Sequence, residues 1–243
     1  MYRKFCTDAQ RVVDKINTGT PYPTKAGLVT GGSKEVGLEV GLNLARNFPS
    51  NSKVFLTTKE KDVSKMRDEL AAKYDRTVTE RIKFVHFDIS DNKSIINLYQ
   101  VVKQEAVILD CLVNNAQKYL LPSQDNEEVF KAQCEETMSV NYWGMKKVFK
   151  IFSPMINRNG RMVLCSSHLG HLSNLDGREP AASSLRKRFA DKNLTEEKLD
   201  ALVNEFMRHV AAGGAQWVEH GWPSCPYTVS KVAVNAYARW QWN

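Results

Sequence analysis

The chain has 243 residues, of which 25% are charged and 42% apolar, a balance that suits one folded α/β domain and excludes a disordered or collagen-like polypeptide. No apolar run approaches the ~18 residues that span a bilayer, and the opening MYRKFCTDAQ places charges where a secretory leader needs its apolar core. A cytoplasmic protein with no membrane association is therefore expected. The formal charge of +7 raises a nucleic-acid hypothesis, yet Lys and Arg are interspersed with Asp and Glu, and the longest basic run is Arg186-Lys187-Arg188 without interleaved aromatics. No nucleic-acid partner is expected; a solvated basic surface or attraction to a small anion accounts for the charge.

Residues 1–24 read as an extension, with a short helix through Val12, Val13 and Ile16 followed by the breaker-rich TGTPYPT. From Lys25 onward β-rich runs alternate with helical periods. The order is AGLVT, a helix from about Val36 to Phe48, KVFLTT, a helix from about Val63 to Tyr74, and IKFVHFD. Then come a helix from about Asp91 to Gln104, ILDCLV, a long helix from about Glu127 to Phe152, and RMVLCS. Such alternation predicts a parallel sheet covered on both faces, a Rossmann-like doubly wound α/β fold with five strands evident.

Between residues 168 and 224 the rhythm breaks. Leu199, Leu202, Val203, Phe206, Met207 and Val210 recur at helical spacing, which predicts a helical insertion with one buried face. Thr195 is its N-cap, with Glu196 and Glu197 in the first turn where the helix dipole favours them. A last helix starts near Pro226. The cysteines, five in all and widely spaced, read as reduced thiols. Cys165-x2-His168-x2-His171 lacks a fourth ligand, so no metal site is assigned.

The first strand ends in TGGSKEVG and opens a helix, where backbone N–H groups and the helix dipole can meet a pyrophosphate; Gly-Gly is also an ordinary turn. In YTVSK, Tyr227 and Lys231 are four residues apart and share a helix face. A neighbouring ammonium favours phenolate, and drawing a tyrosine from near 10 to about 7 takes ~4 kcal/mol of differential interaction. Such a tyrosine can protonate a carbonyl oxygen. A lone pair at this spacing is ordinarily a surface pair, but Asn141, in an otherwise apolar helical stretch, is a buried amide that needs partners.

TGGSKEVG, FDIS, LVNNA, SVNYWG, VLCSS and YTVSK, in this order, resemble the successive motifs of the short-chain dehydrogenase/reductase family from about Lys25 to Arg239. The insertion and EHGWPSCPY resemble the monomeric NADPH-dependent carbonyl reductases within it. The resemblance implies an oxidoreductase that reduces aldehyde, ketone or quinone carbonyls by pro-S hydride transfer from the cofactor, with Tyr227 as acid. Lys231 then tunes Tyr227 and binds the nicotinamide ribose, Ser167 holds the substrate oxygen and Asn141 anchors a proton relay. Cofactor contacts are implied for Gly31, Ser33, Lys34, Glu35, Val36, Gly37, Ile89, Asn115 and Ala116. The second strand ends in Thr57-Thr58-Lys59, without the acid that would hold a 2′-OH. Lys59 and Lys34 suit the 2′-phosphate of NADPH, although either is individually an ordinary solvated lysine. Asp88 resembles the residue that meets the adenine amino group; capping the next helix is its plainer role. A monomer is implied, because the insertion covers the surface that other members use to dimerise.

Two residues depart from the family pattern. Glu35 occupies the second glycine position of TGxxxGxG, and Gln117 replaces the glycine of NNAG, both places where backbone approaches the cofactor closely. The bulk of Glu35 would crowd the cofactor, and a carboxylate within 4 Å of a phosphate charge costs roughly 1 kcal/mol in water and about 4 at a protein surface, a roughly 5- to 1,000-fold weaker cofactor affinity unless the side chain turns outward. The sequence also ends in RWQWN, where the family continues with further strands, so RMVLCS is expected at an unpaired sheet edge. The expectation is a truncated or alternatively spliced product, for which a catalytically inactive module with impaired cofactor binding is the rival to an active reductase.

Overall fold

The computed structural model describes residues 24–123 and 125–242. The short helix expected through Val12 and Ile16 lies outside the described residues. In chain order the elements are β1 (Lys25–Val29), α1 (Glu35–Asn47), β2 (Ser52–Thr58), α2 (Val63–Lys73), α3 (Arg76–Thr79), β3 (Ile82–His86), α4 (Asn92–Glu105) and β4 (Leu109–Asn114). After these come α5 (Glu127–Met138), a π-helical turn (Ser139–Gly144), α6 (Met145–Phe152), β5 (Ile156–Leu164), α7 (Ala181–Ala190), α8 (Glu196–Ala212), α9 (Gln216–Glu219) and α10 (Pro226–Gln241).

The five strands form one sheet in the order β3-β2-β1-β4-β5. Strand β1 pairs in parallel with both β2 and β4, Leu28 standing opposite Phe55 on one side and Leu112 on the other. All three are fully buried, as the continuous apolar runs of a sheet covered on both faces require. The order reverses between β1 and β4, so the topological switch point lies where these two strands end. This is the doubly wound α/β fold expected from the alternation of periods.

By compactness the chain divides into two units, residues up to Ala116 with Lys147–Val163, and Gln117–Lys146 with Leu164 onward. The first holds nearly all of the sheet. Helix α4 begins there at Asp91, whose carboxylate accepts from the backbone N–H groups of Lys93 and Ser94. In the second unit the insertion helix α8 is capped by Thr195 as expected, its hydroxyl accepting from Lys198 N–H at 3.3 Å. Leu199, Leu202, Val203, Phe206 and Val210 are buried, with Phe206 and Phe189 of α7 beside the ring of Trp222.

Three elements differ from their sequence readings. Strand β5 begins at Ile156, before the apolar run, because it is an edge strand whose Asn157, Arg158 and Asn159 face solvent; it ends before Cys165 and Ser166. The long helix is interrupted by the π turn that contains Asn141, a local widening that recurs at functional sites. Helix α7 was masked by its serines and the Arg-Lys-Arg run, yet Ala182, Leu185 and Phe189 form a buried stripe.

Candidate active site

The residues singled out in the sequence fall into two groups, one in each compact unit. In the first unit, the turn after β1 is fixed by its backbone. Gly31 donates its N–H to Thr57 Oγ1 and Gly32 to Thr57 O, each at 2.9 Å. Thr30 Oγ1 accepts from the N–H groups of Asn115 and Ala116 at 2.9 Å, and Asn115 Nδ2 donates to the carbonyls of Thr30 and Gly31 at 3.1 Å. Gly31 has φ +64°, and a Cβ there would meet Ala116 Cα at 3.0 Å; a Cβ on Gly37 would lie 2.2 Å from Gly31 O. Only glycine fits either position.

This turn delivers the chain into α1 at Lys34, which makes no side-chain cap. The first-turn N–H groups of α1 are thus left to solvent or to a bound anion at the end of β1, beside the switch point. Ser33 is half-buried, and Lys34, Glu35 and Val36 are exposed. A nicotinamide dinucleotide fits this cradle in its glycines and uncapped helix start. Glu35 is the discordant member: its φ is +46°, in the left-handed region that glycine adopts freely and that strains other residues.

Lys59 and Asp88, implied to hold different parts of the cofactor, are joined to each other by an ion pair of 2.9 Å between Nζ and Oδ2. Asp88 also accepts from the N–H and hydroxyl of Ser90, and its own N–H donates to Ser94 Oγ. Partial burial opposes ionisation of Asp88, but the hydrogen bonds from Ser90 and Lys59 outweigh it and hold the carboxyl at about 2. Asp88 therefore caps the turn at Ser90, whereas Asp91 caps α4. Ile89 is buried beside it.

In the second unit, α10 carries Tyr227, Ser230 and Lys231, all buried. Pro226 starts that helix, a position where its missing N–H is harmless. Asn141, presented by the π turn and 2% exposed, has every side-chain contact satisfied within this unit. Its Oδ1 accepts from Lys118 N–H at 2.7 Å, and its Nδ2 donates to Lys118 O at 2.9 Å and to Ser230 Oγ at 3.1 Å. The Ser230 hydroxyl in turn donates to Tyr227 O at 2.7 Å. Ser167 stands at the start of the turn His168–Gly170, its Oγ accepting from Leu169 N–H. Gly170 backs onto α10, its carbonyl accepting from Asn235 Nδ2 at 2.9 Å.

The electrostatics correct one expectation. Lys231 Nζ donates to Cys165 O at 2.8 Å and lies over the Tyr227 ring, 5.4 Å from its centroid, instead of beside the hydroxyl. Burial pushes the Lys231 ammonium down to about 8. Burial likewise holds the Tyr227 phenol above its ordinary value, partly offset by a hydrogen bond with Ser167. The pair is thus a phenol that holds its proton more tightly than usual above a weakened ammonium, not the phenolate drawn down by lysine that the spacing suggested.

Sequence reasoning missed several supporting residues. Thr30 and Thr57 fix the glycine turn, and Ser230 links Asn141 to α10; their signal was only that each sits inside a quoted motif. Gln117 was read as a lost glycine, but its side chain accepts the Tyr227 hydroxyl at 3.0 Å. Buried Lys146 is held by Asp200 at 2.5 Å and Glu196 at 2.9 Å, and Asp200 also accepts from Tyr142 at 2.6 Å. These carboxylates are one turn apart on α8, and nothing in the sequence names their partner.

The glycine turn at a switch point together with a Tyr-x3-Lys helix defines a class, and the comparison with family models agrees: residues 25–183 match the short chain dehydrogenase model, and the chain belongs to that family. It is 32% identical over 212 residues to carbonyl reductase (NADPH) 1 of Homo sapiens, covering 87% of this chain and 72% of the relative. It is 29% identical over 216 residues to carbonyl reductase (NADPH) 3 of Homo sapiens, covering 89% and 73%. Among solved structures it is similar to menthone neomenthol reductase from Mentha piperita, with TM-score 0.74, 25% identity, and coverage of 88% of this chain and 84% of that one. Among the described residues no helix is long and apolar enough to cross a membrane.

Proposed function

We propose that the chain is an NADPH-dependent carbonyl reductase that converts an aldehyde, ketone or quinone carbonyl to the alcohol. The observation that carries this reading is the assembly of Asn141, Ser167, Tyr227 and Lys231 around one helix start, with a buried hydrogen-bond chain from Asn141 through Ser230 to the Tyr227 backbone. Tyr227 presents a protonated phenol, the form that a reductase needs in its acid. Ser167 orients the carbonyl oxygen towards it. As Tyr227 gives up its proton, a positive Lys231 under the ring stabilises the phenolate that forms. NADPH, when bound, supplies the hydride to the carbonyl carbon.

For the cofactor we assign Gly31, Ser33, Lys34, Glu35, Val36 and Gly37 to the pyrophosphate turn and Lys59 with Lys34 to the 2′-phosphate. Asp88 and Ile89 take the adenine, Asn115 and Ala116 line the dinucleotide, and Tyr227 and Lys231 hold the nicotinamide ribose. The names of the carbonyl reductase relatives support NADPH over NADH. The four described cysteines are free thiols, which suits a cytoplasmic enzyme. We also assign a monomer, because insertion helix α8 is packed on α5 and α10, and its carboxylates are bound to Lys146.

One observation favours the rival reading, a family member that binds cofactor poorly: Glu35 takes a glycine's conformation at the cradle. The experiment is to follow NADPH absorbance with a quinone and an aromatic aldehyde, using the purified chain and Tyr227→Phe. We expect turnover in the wild type and a roughly 10²- to 10⁴-fold loss in the variant. Equal inactivity of both overturns the reductase reading.

A further inference from the structure

The Tyr227 hydroxyl carries one hydrogen, and that hydrogen is donated to Gln117 Oε1 at 3.0 Å. A carbonyl substrate that takes its proton from Tyr227 needs the same hydrogen, so the amide oxygen of Gln117 stands in the role of the substrate oxygen. The loop that presents Gln117 is not free to withdraw. Asn141 grips the next residue from both sides, accepting from Lys118 N–H and donating to Lys118 O. Tyr119, one residue further on, lays its ring edge-to-face on the Tyr227 ring with centroids 5.0 Å apart.

We propose that Gln117 is a positioning residue that latches Tyr227 in its protonated, substrate-free state, and that a carbonyl substrate must exchange its own oxygen for the Gln117 amide before proton transfer. The inference rests on reading Tyr227 as the acid. The exchange is balanced: the O–H···O bond to Gln117 is released, an O–H···O bond to the substrate carbonyl forms, and no covalent bond changes until the carbonyl is reduced. An amide oxygen accepts but cannot donate, so it stabilises phenol and does nothing for phenolate. The same contact therefore raises the affinity of Tyr227 for its proton and competes with substrate. The other titratable groups facing Tyr227 are Lys231 beneath the ring, with Cys225 and Tyr119 beside it. The Ser167 hydroxyl also hydrogen-bonds Tyr227 and lowers its proton affinity, so it acts against the latch. Because Gln117 is exposed, the latch is worth roughly two- to fivefold, the lower part of the range for a neutral hydrogen bond.

The test uses the full chain without cofactor. Tyrosine labelled at the ring Cζ carbon is titrated by NMR, and the Tyr227 signal is assigned with Tyr227→Phe. Gln117→Gly, which restores the family residue, is expected to lower the Tyr227 midpoint by roughly 0.3–0.7 pH units, equivalent to the same two- to fivefold. Gln117→Glu, which keeps the size and the fold while adding charge, is expected to raise it. With NADPH and a quinone, kcat/KM of Gln117→Gly rises roughly two- to fivefold through KM, and its basic pH limb moves down with the titration. Unchanged Tyr227 midpoints in both variants overturn the latch. Loss of NADPH turnover in every chain leaves the titration able to decide the latch and overturns only the reductase reading. Midpoints that move while Tyr227→Phe retains full activity show a real contact, but they overturn its role in proton transfer.

Discussion

The two groups of candidate residues, one in each compact unit, are built by different means. In the first unit, specificity of conformation lies in backbone: glycines at Gly31 and Gly37 with no room for a Cβ, threonine hydroxyls tied to N–H groups, and an uncapped helix start. In the second, it lies in buried side chains, each with a named partner, from Asn141 through Ser230 to Tyr227 and Lys231. A backbone cradle tolerates varied side chains but is strained by one wrong residue, as at Glu35. A side-chain cluster tolerates neighbours such as Gln117 but fails with the loss of one functional group.

Breaking the second group should give the largest effect. Tyr227→Phe is expected to lower kcat/KM for a quinone by roughly 10²- to 10⁴-fold with an unchanged melting temperature; loss below twofold would show that the cluster is structural. The next effect is on stability. The native ammonium of Lys231 titrates near 8 and the unfolded one near 10.5, so the unfolded chain binds the extra proton between these values. Native stability contributed by this group therefore rises with pH across that window, by up to about 3 kcal/mol. Denaturation of wild type and Lys231→Met from pH 7 to 10.5 should show the wild type gaining on the variant as pH rises.

Asp200→Asn leaves buried Lys146 with Glu196 alone and should cost about 2 kcal/mol in urea unfolding, with no change in the cradle. In the first group, Glu35→Gly replaces a strained residue by the one its φ suits. It should gain about 1 kcal/mol, or roughly 2–4 °C in melting temperature, and bind NADPH about fivefold or more tightly. A lower melting temperature would show that Glu35 is not strained. The smallest effect has the same pH sense as that of Lys231, in a far lower window. Asp88 titrates near 2 in the native state and near 3.8 otherwise, so its contribution is present above pH 3.8 and fades as pH falls towards 2. Asp88→Asn should remove that increment, read as melting curves of the two proteins converging at low pH.

The contrast also explains what the sequence made legible. The sheet was readable because its strands are buried on both faces and announce themselves as apolar runs; β5, an edge strand, was mis-registered for lack of that signal. Asn141, Ser167, Tyr227 and Lys231 were singled out because the motifs that carry the family resemblance contain them, and the folded chain shows all four within one compact unit. Their hydrogen-bond partners were not readable as such, since Lys118, Ser230 and Gln117 act through backbone atoms or ordinary polar groups that many residues share. Glu35 was visible as a misplaced residue, but its cost was read as charge and bulk, whereas an exposed side chain on a left-handed backbone moves the cost into conformation. Lys59 and Asp88 were each expected to contact the cofactor, and only the folded chain shows that they hold each other.

The central claim is that Tyr227 donates the proton while NADPH supplies hydride to the same carbonyl. It is tested most directly by incubating the chain with a ketone and NADPH deuterated at the pro-S position of C4, the face that the family resemblance implies, and analysing the alcohol by mass spectrometry. The account predicts deuterium at the carbinol carbon in the wild type and at least a hundredfold less labelled alcohol with Tyr227→Phe. Alcohol without deuterium, or labelled equally by both proteins, would contradict it.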